Sequence, residues 1–249
     1  MFDPYGRVDV ADLTILDLVT NKTLSARAAA ALWAAMDAGL SFVVTAVPRF
    51  AGKSTLMNAV LGLLPPDIPV HRLDGSREQM LQLKREASGG YVVVAEIGQA
   101  PVPGYIWGEP VRELFETLAV GYSLATALHA PDVTGAFDVL YRENGVSDEV
   151  ALRVNLVLHL LRFGEDPDSF WRRVAEVSEI DGVSGGRPNA RVLFRWREPD
   201  DAFEDVEVPR LLKVDQAELE GRARAISERV RSGRTDAAAI SELIRGNSP

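Results

Sequence analysis

Cysteine is absent from the 249 residues, which excludes disulfides, thiolate metal ligands and a cysteine nucleophile, and fits a reducing compartment. Also missing is any apolar run near the ~18–20 residues that a membrane-spanning helix needs. The opening Met1-Phe2-Asp3-Pro4-Tyr5 lacks the basic-then-apolar order of a secretory leader, so the expected location is the cytoplasm. Basic charge is in short supply: 27 Lys and Arg stand against 36 Asp and Glu, a formal net charge of −9. Nucleic-acid proteins need a basic face to displace counterions, so no nucleic-acid partner is expected. His71 and His159 have no spacing that suggests a metal site, and His159 is expected on the solvent side of an alternating strand. What is present is an ordinary globular composition, 47% hydrophobic and 25% charged, enough for one substantial core or a main domain with a smaller appendage.

The run from Ser25 to Met36 is built from strong helix formers, four consecutive alanines among them, and Gly39 supplies a stop. Ser41 to Val47 is short, apolar and β-branched, the composition of a strand buried on both faces of a parallel sheet. After the loop Pro48-Arg49-Phe50-Ala51-Gly52, a helix is expected over Lys53 to Leu64, ended by Pro65-Pro66. The alternation continues with a strand at Val70 to Leu73, a helix at Ser76 to Ala87 and a strand at Tyr91 to Ile97. A helix near Glu109 to Ala119, a strand near Leu124 to Leu128 and a helix near Val133 to Arg142 follow. Such alternation predicts an α/β fold with an open, mostly parallel sheet and flanking helices.

From about Ser147 the pattern changes to one helix and then three strands, Asn155 to Phe163, Phe170 to Ile180 and Ala190 to Arg197. They read as a small C-terminal β-meander, with Gly182 to Pro188 as a loop between the last two. Asp215 to Arg245 is charged and alanine-rich and predicts a helical tail. Its Arg222, Arg224, Arg229, Arg231 and Arg234 are expected on a solvated face interleaved with acids.

Gly52-Lys53-Ser54-Thr55 follows a predicted strand and opens a predicted helix, the context that a phosphate-binding loop of the Walker A type requires. In such a loop, backbone N–H groups and the helix N-terminus bind phosphate oxygens. The lysine neutralises the outer phosphates and the hydroxyl holds Mg²⁺. Pro48, Arg49, Phe50, Ala51, Gly52, Lys53, Ser54 and Thr55 are therefore the candidate nucleotide-binding residues. The loop is degenerate: Val47 stands where the pattern has its first glycine, and Phe50 and Ala51 replace small, permissive residues. A β-branched residue resists positive φ, so Val47 points to a different loop path. Glu96 near the end of one apolar strand and His129 just past another share the carboxyl edge of the sheet, where open α/β sheets bind ligands.

On these segments the chain resembles the type II and type IV secretion ATPase superfamily, especially the branch that powers tight-adherence (Flp) pili. The likeness runs from Asp12 to Trp196 and includes Ser54-Thr55-Leu56-Met57-Asn58, Leu73-Asp74, Val92-Val93-Val94-Ala95-Glu96-Ile97, Leu128-His129-Ala130 and Arg172-Arg173-Val174-Ala175-Glu176-Val177. The resemblance implies a RecA-like P-loop NTPase core over 1–146, with C-terminal strands and helical tail over 147–249. It implies ATP and Mg²⁺ as ligands, Glu96 as the catalytic glutamate, His129 as a γ-phosphate sensor, and Ser54, Asp74 and Glu96 around the metal. It also implies a hexameric ring, of this chain or with a full-length paralogue, on the cytoplasmic side of a secretion or pilus complex, peripheral to the inner membrane.

Three departures oppose full activity. Val47 and Phe50 break the glycine pattern, Gly98 stands where an arginine belongs, and Tyr122 replaces a histidine. The stretch before the Ser25 helix is also too short for the N-terminal domain that carries the family's arginines. Losing a transition-state arginine costs on the order of a thousandfold in phosphoryl transfer. Two readings remain open: an ATPase driving secretion or pilus assembly, and a catalytically impaired pseudo-ATPase acting as a regulatory or scaffolding subunit.

Overall fold

In the computed structural model, which describes residues 13–48, 50–164 and 170–246, helix formation begins earlier than propensity suggests. Arg49 and the Met1–Tyr5 segment lie outside the described residues. Helix α1 (Ile15–Thr20) is made by its cap: the Thr14 hydroxyl accepts from the Asp17 N–H, and the Asp17 carboxylate accepts from the Thr14 N–H. This reciprocal pairing satisfies two donors at the helix start in a stretch whose β-branched residues hide it from a propensity reading. Ser25 caps α2 (Ala26–Asp37) in the same way through the Ala28 N–H. Every residue of α2 from Ala28 to Met36 is buried, so it is an interior helix rather than an amphipathic one. Its alanines let neighbouring helices approach closely.

The short strand β1 (Phe42–Thr45) is buried throughout. It pairs in parallel with β5 (Tyr122–Leu128) on one side and β6 (Leu156–Phe163) on the other. Beyond β5 lies β3 (Gly90–Ile97), also parallel, whose other edge carries β2 (Val70–Arg72) and β4 (Tyr105–Ile106). On the opposite flank β7 (Trp171–Ser184), β8 (Arg187–Arg197) and β9 (Ala202–Asp205) add antiparallel strands. Among the described residues these form one nine-stranded sheet, in the order β2-β3-β5-β1-β6-β7-β8-β9 with β4 beside β3. The mixed α/β architecture with a mostly parallel centre thus agrees with the alternation in the sequence.

Strand residues alternate between two cores, as the two-residue period requires. Phe42, Val44, Leu156 and Leu158 point to a layer formed by α1, α2, α3 (Lys53–Leu61), α8 (Gln216–Arg231) and α9 (Ala237–Gly246). Val43, Val92, Val94 and Val157 point to the layer of α4 (Arg77–Glu86), α5 (Glu109–Leu118) and α6 (Val133–Asp138). After α6 the chain passes through a π-helical turn, Val139–Glu143, to the short α7 (Asp148–Ala151).

Two expectations are corrected. The Gly182–Pro188 loop is a tight hairpin: β7 continues to Ser184 through a bulge, and the turn rests on Gly185 and Gly186 with φ of 58° and 73°. Such two-residue turns demand positive φ at both positions, and both N–H groups donate to the Asp148 carboxylate at 2.6 and 2.8 Å. The tail is helical as expected, in two pieces, α8 and α9. Arg222 is buried, not solvated: its guanidinium lies 4.6 Å from the Trp33 ring centroid and pairs with Asp37 and Glu218. The long alkyl stem and planar head suit this interior position.

Ala30 is fully buried in α2. Ala30→Leu is expected to overpack that layer at a cost of about 1–3 kcal/mol, lowering the thermal midpoint by about 2–10 °C in a calorimetric scan.

Candidate functional site

Parallel pairing brings the carboxyl ends of β1, β3 and β5 to one edge of the sheet, and three side chains converge there. Lys53 opens α3, Glu96 lies one residue from the end of β3, and His129 follows β5 directly. The Lys53 Nζ is 3.3 Å from Glu96 Oε2, and His129 Nε2 is 3.1 Å from Glu96 Oε1. Lys53 Nζ and His129 Nε2 are 3.2 Å apart, closing the triangle. Lys53 and Glu96 are only 7% and 5% exposed, whereas His129 is open to solvent.

The remaining imidazole nitrogen fixes part of the proton arrangement. His129 Nδ1 lies 3.1 Å from the Val47 carbonyl oxygen, which can only accept, so Nδ1 carries a hydrogen. Nε2 then accepts from the Lys53 ammonium when the ring is neutral and donates to Glu96 when it is charged. Burial lowers the Lys53 pKa, and the neighbouring Glu96 carboxylate opposes that shift in part.

The loop itself solves the missing glycine in an unexpected way. Val47 is not left-handed; positive φ falls instead on Phe50 at 59° and Gly52 at 96°. An aromatic residue in this region is strained, and Phe50 is 80% exposed, so its side chain does not offset the strain by packing. Gly52 precedes α3 with no side-chain cap, leaving first-turn N–H groups available to an anion. Ser54 and Pro48 are exposed, Thr55 is partly covered and Ala51 is buried. Among the described residues the Ser54 hydroxyl has no hydrogen-bond partner.

Other singled-out residues lie apart from the cluster. Asp74 is exposed, and its Oδ1 accepts from the Ser76 N–H at 2.7 Å while its own N–H donates to Gln79 Oε1 at 2.9 Å. Hydrogen bonding from the Ser76 N–H and hydroxyl holds the Asp74 carboxyl below its ordinary range. Among the described residues no hydrogen bond or ion pair links it to Lys53, Glu96 or His129. Tyr122 is an anchor for the end of α4, donating to Leu83 O at 3.0 Å and accepting from the Ser88 N–H at 3.0 Å. His159 is only partly exposed: its Nδ1 is 3.0 Å from the Thr45 hydroxyl, and burial lowers its pKa. A residue that the sequence reading left without a role reaches the loop from β7. Arg172 Nη2 donates to Phe50 O at 3.4 Å, and its guanidinium packs against Gly52.

No protein-family model matches the chain, and no curated protein matches its sequence. Among solved structures it is similar to the VirB11 ATPase from the Brucella suis type IV secretion system, determined in complex with sulphate. That match has a TM-score of 0.43 and 18% identity over 59% of this chain and 50% of the other. It is also similar to the Legionella pneumophila ATPase DotB, with a TM-score of 0.41 and 13% identity over 92% of this chain and 68% of the other. The chain therefore spans half the length of the first of these. Likeness at this level carries nothing about chemistry, which follows from the residues themselves.

Glu96→Ala removes the countercharge and leaves the burial of Lys53 uncompensated. The Lys53 pKa is expected to fall further below its ordinary value, followed by heteronuclear NMR titration of its ammonium. Folding stability should fall by about 3 kcal/mol in urea unfolding, because one partner of a buried pair is stranded.

Proposed function

We propose that this chain binds Mg·ATP at the loop before α3, as a P-loop domain of the secretion and pilus-assembly ATPase type, and hydrolyses it. The observation that carries the reading is the convergence of Lys53, Glu96 and His129 beside an uncapped helix N-terminus. A buried ammonium held only by a carboxylate and an imidazole can exchange those partners for phosphate oxygens. Pro48, Arg49, Phe50, Ala51, Gly52, Ser54 and Thr55 would line the phosphates through the loop and the first turn.

When Lys53 moves to phosphate, Glu96 loses its countercharge and gains a free oxygen that accepts a hydrogen bond from water. That orients the water for in-line attack on the terminal phosphate, while Lys53 neutralises charge on the oxygens. His129, anchored at Val47, keeps a hydrogen-bonding nitrogen toward the same point. The donor set suits Mg²⁺: Ser54, Glu96 and Asp74 all offer oxygen, as this hard cation demands, together with phosphates and water. Mg²⁺ there would supply charge neutralisation between the outer phosphates. Assembly with itself or a paralogue in a hexameric ring, on the cytoplasmic side of a secretion or pilus membrane complex, belongs to the same proposal.

A second reading, a pseudo-ATPase that regulates or scaffolds such a machine, draws on the strained and exposed Phe50. Turnover distinguishes the two: hydrolysis that Glu96→Gln abolishes supports the first, and nucleotide binding with no Glu96-dependent turnover supports the second.

Binding of a fluorescent ATP analogue with Mg²⁺ should weaken at least about tenfold in Lys53→Ala, measured by equilibrium titration; unchanged affinity would sink the assignment. A proton must stay on Lys53 for phosphate to bind. Because its pKa is lowered from 10.5, affinity in the parent should decline with rising pH before an ordinary lysine would lose its charge.

A further inference from the structure

We propose that Arg172, with Arg162 behind it, is a phosphate-binding arginine supplied to the loop by the chain's own β6–β7 hairpin. The inference rests on the phosphate-loop reading and names a cation that the loop's consensus does not contain.

The two arginines, partly buried, differ from most arginines around them, the exposed Arg187 at the far hairpin being the other without an acidic partner among the described residues. Arg173, Arg191, Arg195 and Arg197, on the same pair of strands β7 and β8, each lie within ion-pair distance of a carboxylate. Arg162 and Arg172 have no acidic partner among the described residues, and the Nε of each is buried without a hydrogen bond. They sit directly opposite each other across the antiparallel β6–β7 ladder, where like charges destabilise a sheet. Both guanidinium groups stack on Phe170, at 4.8 Å for Arg162 and 4.3 Å for Arg172. The ring fixes their direction and softens their repulsion without neutralising either. Burial and the Arg162 charge both lower the Arg172 pKa, as expected of a cation waiting for an anion.

The Arg172 guanidinium lies against the loop. Arg172 Nη2 touches Phe50 O, and a Cβ at Gly52 would come 2.6 Å from Arg172 Nε and 2.9 Å from its Cδ. Gly52 is thus required twice, for its φ of 96° and for the approach of Arg172 to the backbone. In a chain of net charge −9, Arg172 against Gly52, with Arg162 opposite it, adds positive charge with no acidic partner among the described residues to Lys53 and an uncapped helix start, where a polyphosphate would lie. A planar guanidinium pairs with phosphate oxygens in a bidentate manner that lysine cannot reproduce. Only the weak bond to Phe50 O must be released.

The test uses the full chain and calorimetric titration with two probes, inorganic tripolyphosphate and Mg·ATP. Arg172→Gln keeps part of the aliphatic stem and a polar head while removing the charge; Lys53→Ala is measured beside it, and thermal midpoints confirm folding. Affinity for both probes is expected to fall about tenfold to a hundredfold in Arg172→Gln, with Arg172→Lys recovering only part. If Arg172→Gln does not fold, Arg162→Gln carries the comparison, with a smaller loss expected. Parent-like affinity in the folded arginine variants, with Lys53→Ala impaired, would overturn the arginine's role and leave the nucleotide reading standing. Arginine-dependent capture of tripolyphosphate without ATP binding would do the reverse, and no binding of either probe at millimolar concentration would remove both.

Discussion

Hydrogen bonding on both sides of β1 is the constraint from which the site follows. Its four residues are buried between β5 and β6, so the chain can leave Thr45 only over the carboxyl edge of the sheet. The next residues must then turn back to start α3, because the side chains of Leu56 and Val60 belong to the core beneath. The loop is short, and strain is the result: a left-handed Phe50 and a left-handed Gly52. His129 braces this path by holding Val47 O, which ties the loop to the end of β5 and makes the two strand ends a single unit.

The Lys53–Glu96 pair is a poor source of stability. Desolvating two charges costs several kcal/mol, and their attraction at best roughly repays it. A buried apolar pair would serve folding as well. The charges make sense as groups held in readiness, since an ammonium already stripped of water meets an incoming anion with less left to lose. By contrast, the fully buried Glu179 is wholly committed: its carboxylate accepts from the N–H groups of Arg210 and Leu211, pinning the return of the chain toward α8.

Much of the fold was legible because the period of the apolar pattern switches cleanly between strand and helix from Ser41 to Arg142. Lys53, Glu96 and His129 could be singled out because each stands at a point where an apolar strand or loop gives way to the next element, and parallel strands bring such points to one edge. Their mutual distances needed the register between β1, β3 and β5. Capping hid α1, whose helicity depends on Thr14 and Asp17 rather than on its own propensity. Burial of Arg222 depends on Trp33, far away in the chain, and no local charge pattern reveals it. His159 is the more exposed residue between buried Leu158 and Leu160, as alternation suggests, but its bond to the Thr45 hydroxyl depends on the pairing of β1 with β6. Arg172 was visible only as part of a basic stretch; its meaning comes from the hairpin that carries it onto Gly52. Asp74 was placed near the metal by resemblance; in the structure one of its carboxylate oxygens accepts from the Ser76 N–H, a local turn that no sequence period reveals.

Strand β7 has 14 residues, which at roughly 3.3 Å each makes a strut of up to about 45 Å. One end bears Arg172 against the loop, and the other is clasped where Gly185 and Gly186 meet Asp148 and the ring of Tyr141 in the π-helical turn. Between those ends the strand pairs with β6 from Trp171 to Glu179 and with β8 from Glu176 to Ser184, with irregular register near His159, Val177 and Ile180. Any pull on Arg172 is therefore resisted along the strand's length and can be relieved only at those bulges or at the far clasp. The sheet is in this respect a lever with two fixed handles, and the opposite rim of the molecule shares mechanically in whatever occupies the loop.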